Sequence, residues 1–181
     1  MIRVISHDPD WVTQFHAEAS RIAEATGDSV VHIHHIGSTA IPHTKAKPII
    51  DILLEVRSLD SVDEKESELV ALGYEAKGEF GISGRRYFRL NDSSGTRIYQ
   101  VHAYEAGTPN VARHVAFRDY MQAHPSVAVE YGVLKEALAI AATHDMTAYI
   151  AGKDAFVTEH ERRALLWAGS QPRGTRRLQP T

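Results

Sequence analysis

The segment Ile49 to Val56 (IIDILLEV) limits the fold of this chain more than any other. It is apolar except for Asp51 and Glu55. A run of this kind reads as a largely buried, central strand. A carboxylate inside such a strand is costly unless it is paired or bound to a metal. Asp51 is therefore the first residue to examine for chemistry.

The segment before it supplies a second element. Val30 to Ile36 (VVHIHHI) is β-branched and lies between Gly27 and Gly37, so it reads as a strand. Gly37-Ser38-Thr39 then opens a loop, which Pro42 and Pro48 keep irregular. A Gly-Ser turn can offer backbone N–H groups and a hydroxyl to a phosphate. Lys45 and Lys47 add positive charge between the turn and Asp51. A phosphate cradle beside a strand carboxylate is what metal-assisted phosphoryl or nucleotidyl transfer requires. The plainer alternative is an ordinary turn with a satisfied structural carboxylate, since the full G-x-x-x-x-G-K-[ST] loop is absent.

The remaining chain divides into a mixed β/α half and a helical half. Asp8-Pro9-Asp10 precedes the helical spacing of Trp11, Phe15, Ala19 and Ile22, all expected in the core. Ser61-x-x-Glu64 predicts a capping box for a helix ending at Gly73. Gly78, Gly81 and Gly84 mark a loop. The turn NDSSG joins the strands Tyr87–Leu90 and Arg97–Tyr104 into a hairpin. Three helices follow, opened by Thr108-Pro109, by Pro125 and near Asp145, the last reaching Trp167. Residues 1–168 are expected to form one domain, and the polar residues 169–181 a disordered basic tail.

Composition removes several classes of function. The chain has no cysteine, which excludes disulfides, thiolate catalysis and iron–sulfur clusters. Its 20 basic and 23 acidic residues leave a charge of −3, so nucleic acid bound by overall charge is not expected. No apolar run has the length of a membrane span, and Met1 to Asp10 lacks a signal-peptide core; a cytoplasmic protein is the expectation.

The stretch HIGSTAIPHTKAKPIIDILLEV resembles the GrpB (UPF0157) family, placed in the nucleotidyltransferase superfamily of the polymerase-β type. The segments DPDWVTQFHAEASRI, RRYFRL, YQVHAYEAGT, RHVAFRDYMQAHP, YGVLKEALA and YIAGKDAFV are similar as well, so the likeness runs from about residue 7 to residue 168. It implies an α/β (α+β type) fold: a nucleotidyltransferase-like mixed sheet flanked by helices, with a C-terminal helical segment. Some members are fused to dephospho-CoA kinase. The resemblance also implies an Asp-x-Asp pair on the strand, and here it is broken: Asp51 is present, but the second position is Leu53. Glu55 shares that face but lies roughly 13 Å from Asp51 along the strand, too far to share one ion. A later strand often supplies a third acid in this superfamily, and His102, sharing a face with Gln100 and Tyr104, can stand there as ligand or base. Asp51 and His102 are thus the expected catalytic pair and the expected ligands of one Mg2+ or Mn2+ ion.

Other basic residues offer charge to a phosphate chain, the alternatives being a solvated hairpin edge, ion pairing with Asp119 or Glu105, and plain surface lysines. Arg85, Arg86 and Arg89 flank Tyr87 and Phe88, and Arg113, His114 and Arg118 lie on the following helix. Lys135 and Lys153 sit near aromatics on separate helices. Gly37, Ser38, Lys47, Arg85, Arg86, Arg118, Lys135 and Lys153 are the expected phosphate-binding residues. His32, His34 and His35 read as strand histidines rather than a metal site, with His35 of interest because it abuts the Gly37-Ser38 turn. Phe117, Tyr120 and Tyr131 read as helix packing. Two functions follow: a metal-dependent transferase moving a nucleoside monophosphate from an NTP to a small acceptor, or a degenerate module that binds a nucleotide or phosphometabolite without transferring it. An accessory, chaperone-like role is a weaker third.

Overall fold

A computed structural model describes residues 2–171. Five strands form one sheet: β1 (Val30–Ile36), β2 (Ile50–Val56), β3 (Glu75–Ala76), β4 (Arg86–Asn91) and β5 (Arg97–Glu105). Their order is β1-β2-β5-β4-β3. β2 and β5 run parallel, and the other neighbours are antiparallel. The sheet is therefore mixed, with β2 internal as its apolar run requires.

Alternation along β2 divides the core. Ile50, Ile52, Leu54 and Val56 face one side, where they pack with Val101, Ala103 and Phe88. That side is covered by α1 (Asp10–Thr26), α2 (Leu59–Asp63) and α3 (Glu66–Ala71). These helices contribute Trp11, Phe15, Ile22, Val62 and Leu69 to it. Burying each such side chain stabilises the fold by about 1.5–3 kcal/mol. On the other side Ile36, Leu53 and Tyr104 meet Val111 and Val115. Both valines belong to α4 (Pro109–Ala123).

α4 packs with α5 (Pro125–Ala142) and α6 (Met146–Ser170) around Ile41, Met121, Tyr131 and Ala164. The Tyr131 and Phe156 rings stack 4.9 Å apart. Pro109 and Pro125 open α4 and α5, where a missing N–H costs nothing. Asp145 caps α6 by accepting a 3.0 Å bond from the Ala148 amide.

Three local expectations change. The cap of α2 is Ser58, whose hydroxyl accepts from the Ser61 amide, and the predicted single helix is broken into α2 and α3. Like charges four residues apart, at Asp60/Glu64 and Glu64/Glu68, disfavour a continuous helix there. Thr108 does not cap α4; its hydroxyl donates to the Glu105 carbonyl at 2.8 Å. Gly169 and Ser170, expected in the tail, end α6, and residues 172–181 of that tail lie outside the described residues. Among the described residues, no helix is long and apolar enough to cross a membrane.

Candidate functional site

The face of β2 turned toward α4–α6 carries Asp51, Leu53 and Glu55. β5 sets Gln100 beside Asp51 and His102 beside Leu53. This register brings His102 Nε2 to 3.7 Å from Asp51 Oδ1. Gly37, at the end of β1, adopts a positive φ of 69° and lies against the Asp51 side chain. Ser38 begins a single 3-10 turn.

A cleft of about 550 Å3 separates this face of the sheet from the helical half. That is enough space for a small-molecule ligand. Gly37, Ser38, Asp51 and His102 line its sheet side; Lys135 and Lys153 line it from α5 and α6, with Lys47 at the rim. The structure thus brings together Asp51, His102 and five of the eight expected phosphate-binding residues.

The lysines are unusual in their surroundings. Lys135 is only 2% exposed, and its ammonium lies 4.1 Å from the Tyr131 ring centroid. Its Nζ has no hydrogen-bond partner. Burial, and then the charge of Lys153, pull the Lys135 pKa down to about 7, while Asp51 pulls the other way. Burial also lowers Lys47 and Lys153, which approach the Tyr149 ring at 5.5 and 5.4 Å. Asp51 opposes the shift of all three, so it is the counter-charge they share.

Three expected contacts fall elsewhere. Arg85 donates to the Phe80 carbonyl at 2.9 Å and comes to 3.5 Å from His102 Nδ1, so it braces the imidazole from behind. Arg86 points to the α1–α3 face, where it grips both carboxylate oxygens of Asp63 at 2.6 and 2.7 Å. Strand alternation explains this: Arg86 pairs with Ala103, a residue of that face, whereas Tyr87 pairs with His102. Arg118 donates to the His35 carbonyl at 3.1 Å and to Asp119 at 2.7 Å, which ties α4 to β1. Arg89 and Arg113 are likewise taken up by Glu75 and Glu161.

The strand histidines are structural. His35 faces away from the cleft, stacks on Phe15 at 4.8 Å and contacts the Thr39 hydroxyl at 2.9 Å. His34 bonds Glu55 at 2.6 Å, which engages the second carboxylate of β2. Lys45 pairs with Glu136 at 2.6 Å and does not line the cleft.

The lining residues outside the sequence-based site include Tyr87, Arg97 and Tyr149, as well as His114, which the sequence reading grouped with Arg113 and Arg118. Strict alternation from Gln100 and His102 would point Ile98 into the cleft. A register shift opposite Leu90 and Asn91 leaves Ile98 unpaired and turns Arg97 inward instead. His114 lies 6.0 Å from His102 between ring centroids, its Nε2 buried without a partner, and burial lowers its pKa to about 3. The NDSSG turn locates the end of the hairpin but not this bulge.

The donors present do not fit a two-ion centre. Asp51 is the single carboxylate among the described residues that line the cleft, against Lys47, Arg97, Lys135 and Lys153. Among the described residues, no group of three or more His, Cys, Asp or Glu side chains could hold a metal ion. Mg2+ prefers several oxygen ligands in near-octahedral geometry, and Asp51 with His102 supplies one carboxylate and one imidazole.

The fold is shared with known proteins. The GrpB protein family model matches residues 1–163. The UPF0157 protein YqkA of Bacillus subtilis is 43% identical over 166 residues, which cover 92% of this chain and 48% of that protein. A dephospho-CoA kinase of Mycolicibacterium paratuberculosis is 30% identical over 93% of this chain and 47% of its own length. The chain thus spans about half the length of these two relatives. The crystal structure of the conserved protein GrpB from Enterococcus faecalis superposes with a TM-score of 0.88 at 39% identity, covering 93% of this chain and all of that one. Cid1, described as a poly(U) polymerase, gives a TM-score of 0.54 at 10% identity over 82% of this chain and 48% of its own, a likeness of fold. The chain belongs to the GrpB family and has a nucleotidyltransferase-like fold.

Proposed function

We propose that the cleft binds the phosphate chain of a nucleotide or a related phosphometabolite. The Gly37-Ser38 turn meets one end of the chain, and Lys47, Lys135 and Lys153 surround it from the helices and the rim. One observation carries this reading: the Lys135 ammonium is buried, faces the cleft and lacks a hydrogen-bond partner. A buried cation without a partner is costly, and an anionic ligand removes that cost. Tyr87 and Tyr149 add aromatic surface to the walls, suited to a base.

The test is thermal stabilisation by ATP, UTP and inorganic triphosphate, with adenosine as control. The phosphorylated compounds raise the melting temperature and adenosine does not. Absence of any shift with the three phosphorylated compounds overturns the proposal.

A second reading is transfer of a nucleoside monophosphate from an NTP to a small acceptor. It is favoured by the 3.7 Å approach of Asp51 and His102 at the place where the fold would need acids. Because that chemistry relies on a divalent ion, it predicts that NTPs stabilise the chain only when Mg2+ or Mn2+ is added.

A further inference from the structure

We infer that this cleft takes its phosphate chain as the free polyanion and not as a complex with a divalent metal ion. The inference rests on the phosphate-binding reading and specifies the ionic form of the ligand.

The charge around the cleft favours it. Lys47, Arg97, Lys135 and Lys153 face a space that holds one carboxylate, Asp51. A divalent ion on the phosphate chain cancels two of the charges that these groups attract. The positions that would make the site acidic are otherwise committed. Leu53 is fully buried against Ile36, Tyr104 and Val111. Glu55 is held by His34 at 2.6 Å. Gln100, directly beside Asp51 on β5, brings an amide and no charge. Asp51 then acts as the internal counter-ion of the ligand-free cleft, within ion-pair distance of His102. Toward a bare polyphosphate its charge is repulsive.

This gives Asp51 an effect of opposite sign in the two cases. If the site holds a metal complex, Asp51→Asn removes the anchor and binding falls. If it holds the free anion, the same substitution relieves repulsion and binding tightens, by about 5-fold.

The experiment is calorimetric titration of inorganic triphosphate and of ATP into the full chain at pH 6, where Lys135 carries its charge, in EDTA and in excess Mg2+. Both probes bind in EDTA, and Mg2+ weakens each by about 3-fold or more. Asp51→Asn binds both more tightly in EDTA. Comparing the two probes separates an inorganic polyphosphate ligand from a nucleotide one. Should Asp51→Asn not fold, Gln100→Glu serves, since a second carboxylate beside Asp51 lowers affinity in EDTA. Binding that requires Mg2+, or that Asp51→Asn abolishes or Gln100→Glu strengthens in EDTA, overturns the inference but leaves the cleft as a phosphate site. Failure of both probes to bind in either buffer overturns the phosphate-binding reading itself.

Discussion

A β-carbon at Gly37 would stand 2.5 Å from Oδ2 of Asp51. The end of β1 and the carboxylate of β2 are therefore in direct contact, and the backbone of Gly37, at φ 69° and ψ −169°, lies in a region essentially reserved for glycine. The Gly37-Ser38 turn and the Asp51 carboxylate form one packed unit.

Gly37→Ala accordingly strains the backbone and displaces Asp51. The expected loss is about 1–3 kcal/mol, seen as a melting temperature lowered by about 2–4 °C per kcal/mol. Thermal denaturation checks it. An unchanged melting temperature contradicts the contact.

Lys135→Met exchanges function for stability. The folded chain holds the Lys135 pKa near 7, against 10.5 ordinarily, because of burial and the nearby charge of Lys153. Between those values the unfolded chain binds the proton and the folded chain does not. The destabilisation is therefore complete below about pH 7 and is relieved as pH rises toward 10.5. Lys135→Met raises the melting temperature most at pH 6, and the gap to wild type narrows by pH 9. A gap that grows with pH contradicts the assignment.

The same group sets a pH dependence of binding. Facing Lys135 are Asp51 from β2, Lys153 from α6 and Tyr131 of its own helix. Its positive charge fades above about pH 7. The ratio of wild-type to Lys135→Met affinity for triphosphate therefore falls between pH 6 and pH 8.5, and taking the ratio cancels the ionisation of the ligand. Titrations across that range measure it; a constant ratio removes Lys135 from the contact.

Arg86→Ala is the matched control. Arg86 grips Asp63 on the face away from the cleft, with 20% and 41% of the two side chains exposed. An exposed pair of this type contributes less than about 1 kcal/mol. Triphosphate affinity is expected to match wild type. A loss of 10-fold would mean that Arg86 reaches the ligand.

The readable part of the sequence was the part governed by short-range rules. The β-branched run Val30–Ile36 and the apolar run before Val56 are strands because their side chains fill the two cores. Asp51 stood out as a carboxylate in an apolar run, whereas the place of His102 was suggested by the family resemblance, and the structure brings the two to 3.7 Å. Tertiary placement was harder to read. Arg86 and Tyr87 are neighbours in sequence, and the pleat sends them to opposite faces. Arg97 enters the cleft through a one-residue bulge that composition does not signal. Arg118 is a cation by sequence and a structural tie by position, because its guanidinium meets the His35 carbonyl before it can meet solvent.

The most direct test of phosphate binding in this cleft is the affinity of inorganic triphosphate for the Lys135→Met/Lys153→Met double variant, measured by calorimetry against wild type. Each charged contact to phosphate contributes about 1.5–3 kcal/mol, so the account predicts a loss of about 100-fold or more in a chain that melts no lower than wild type. A double variant that binds triphosphate as tightly as wild type would contradict it.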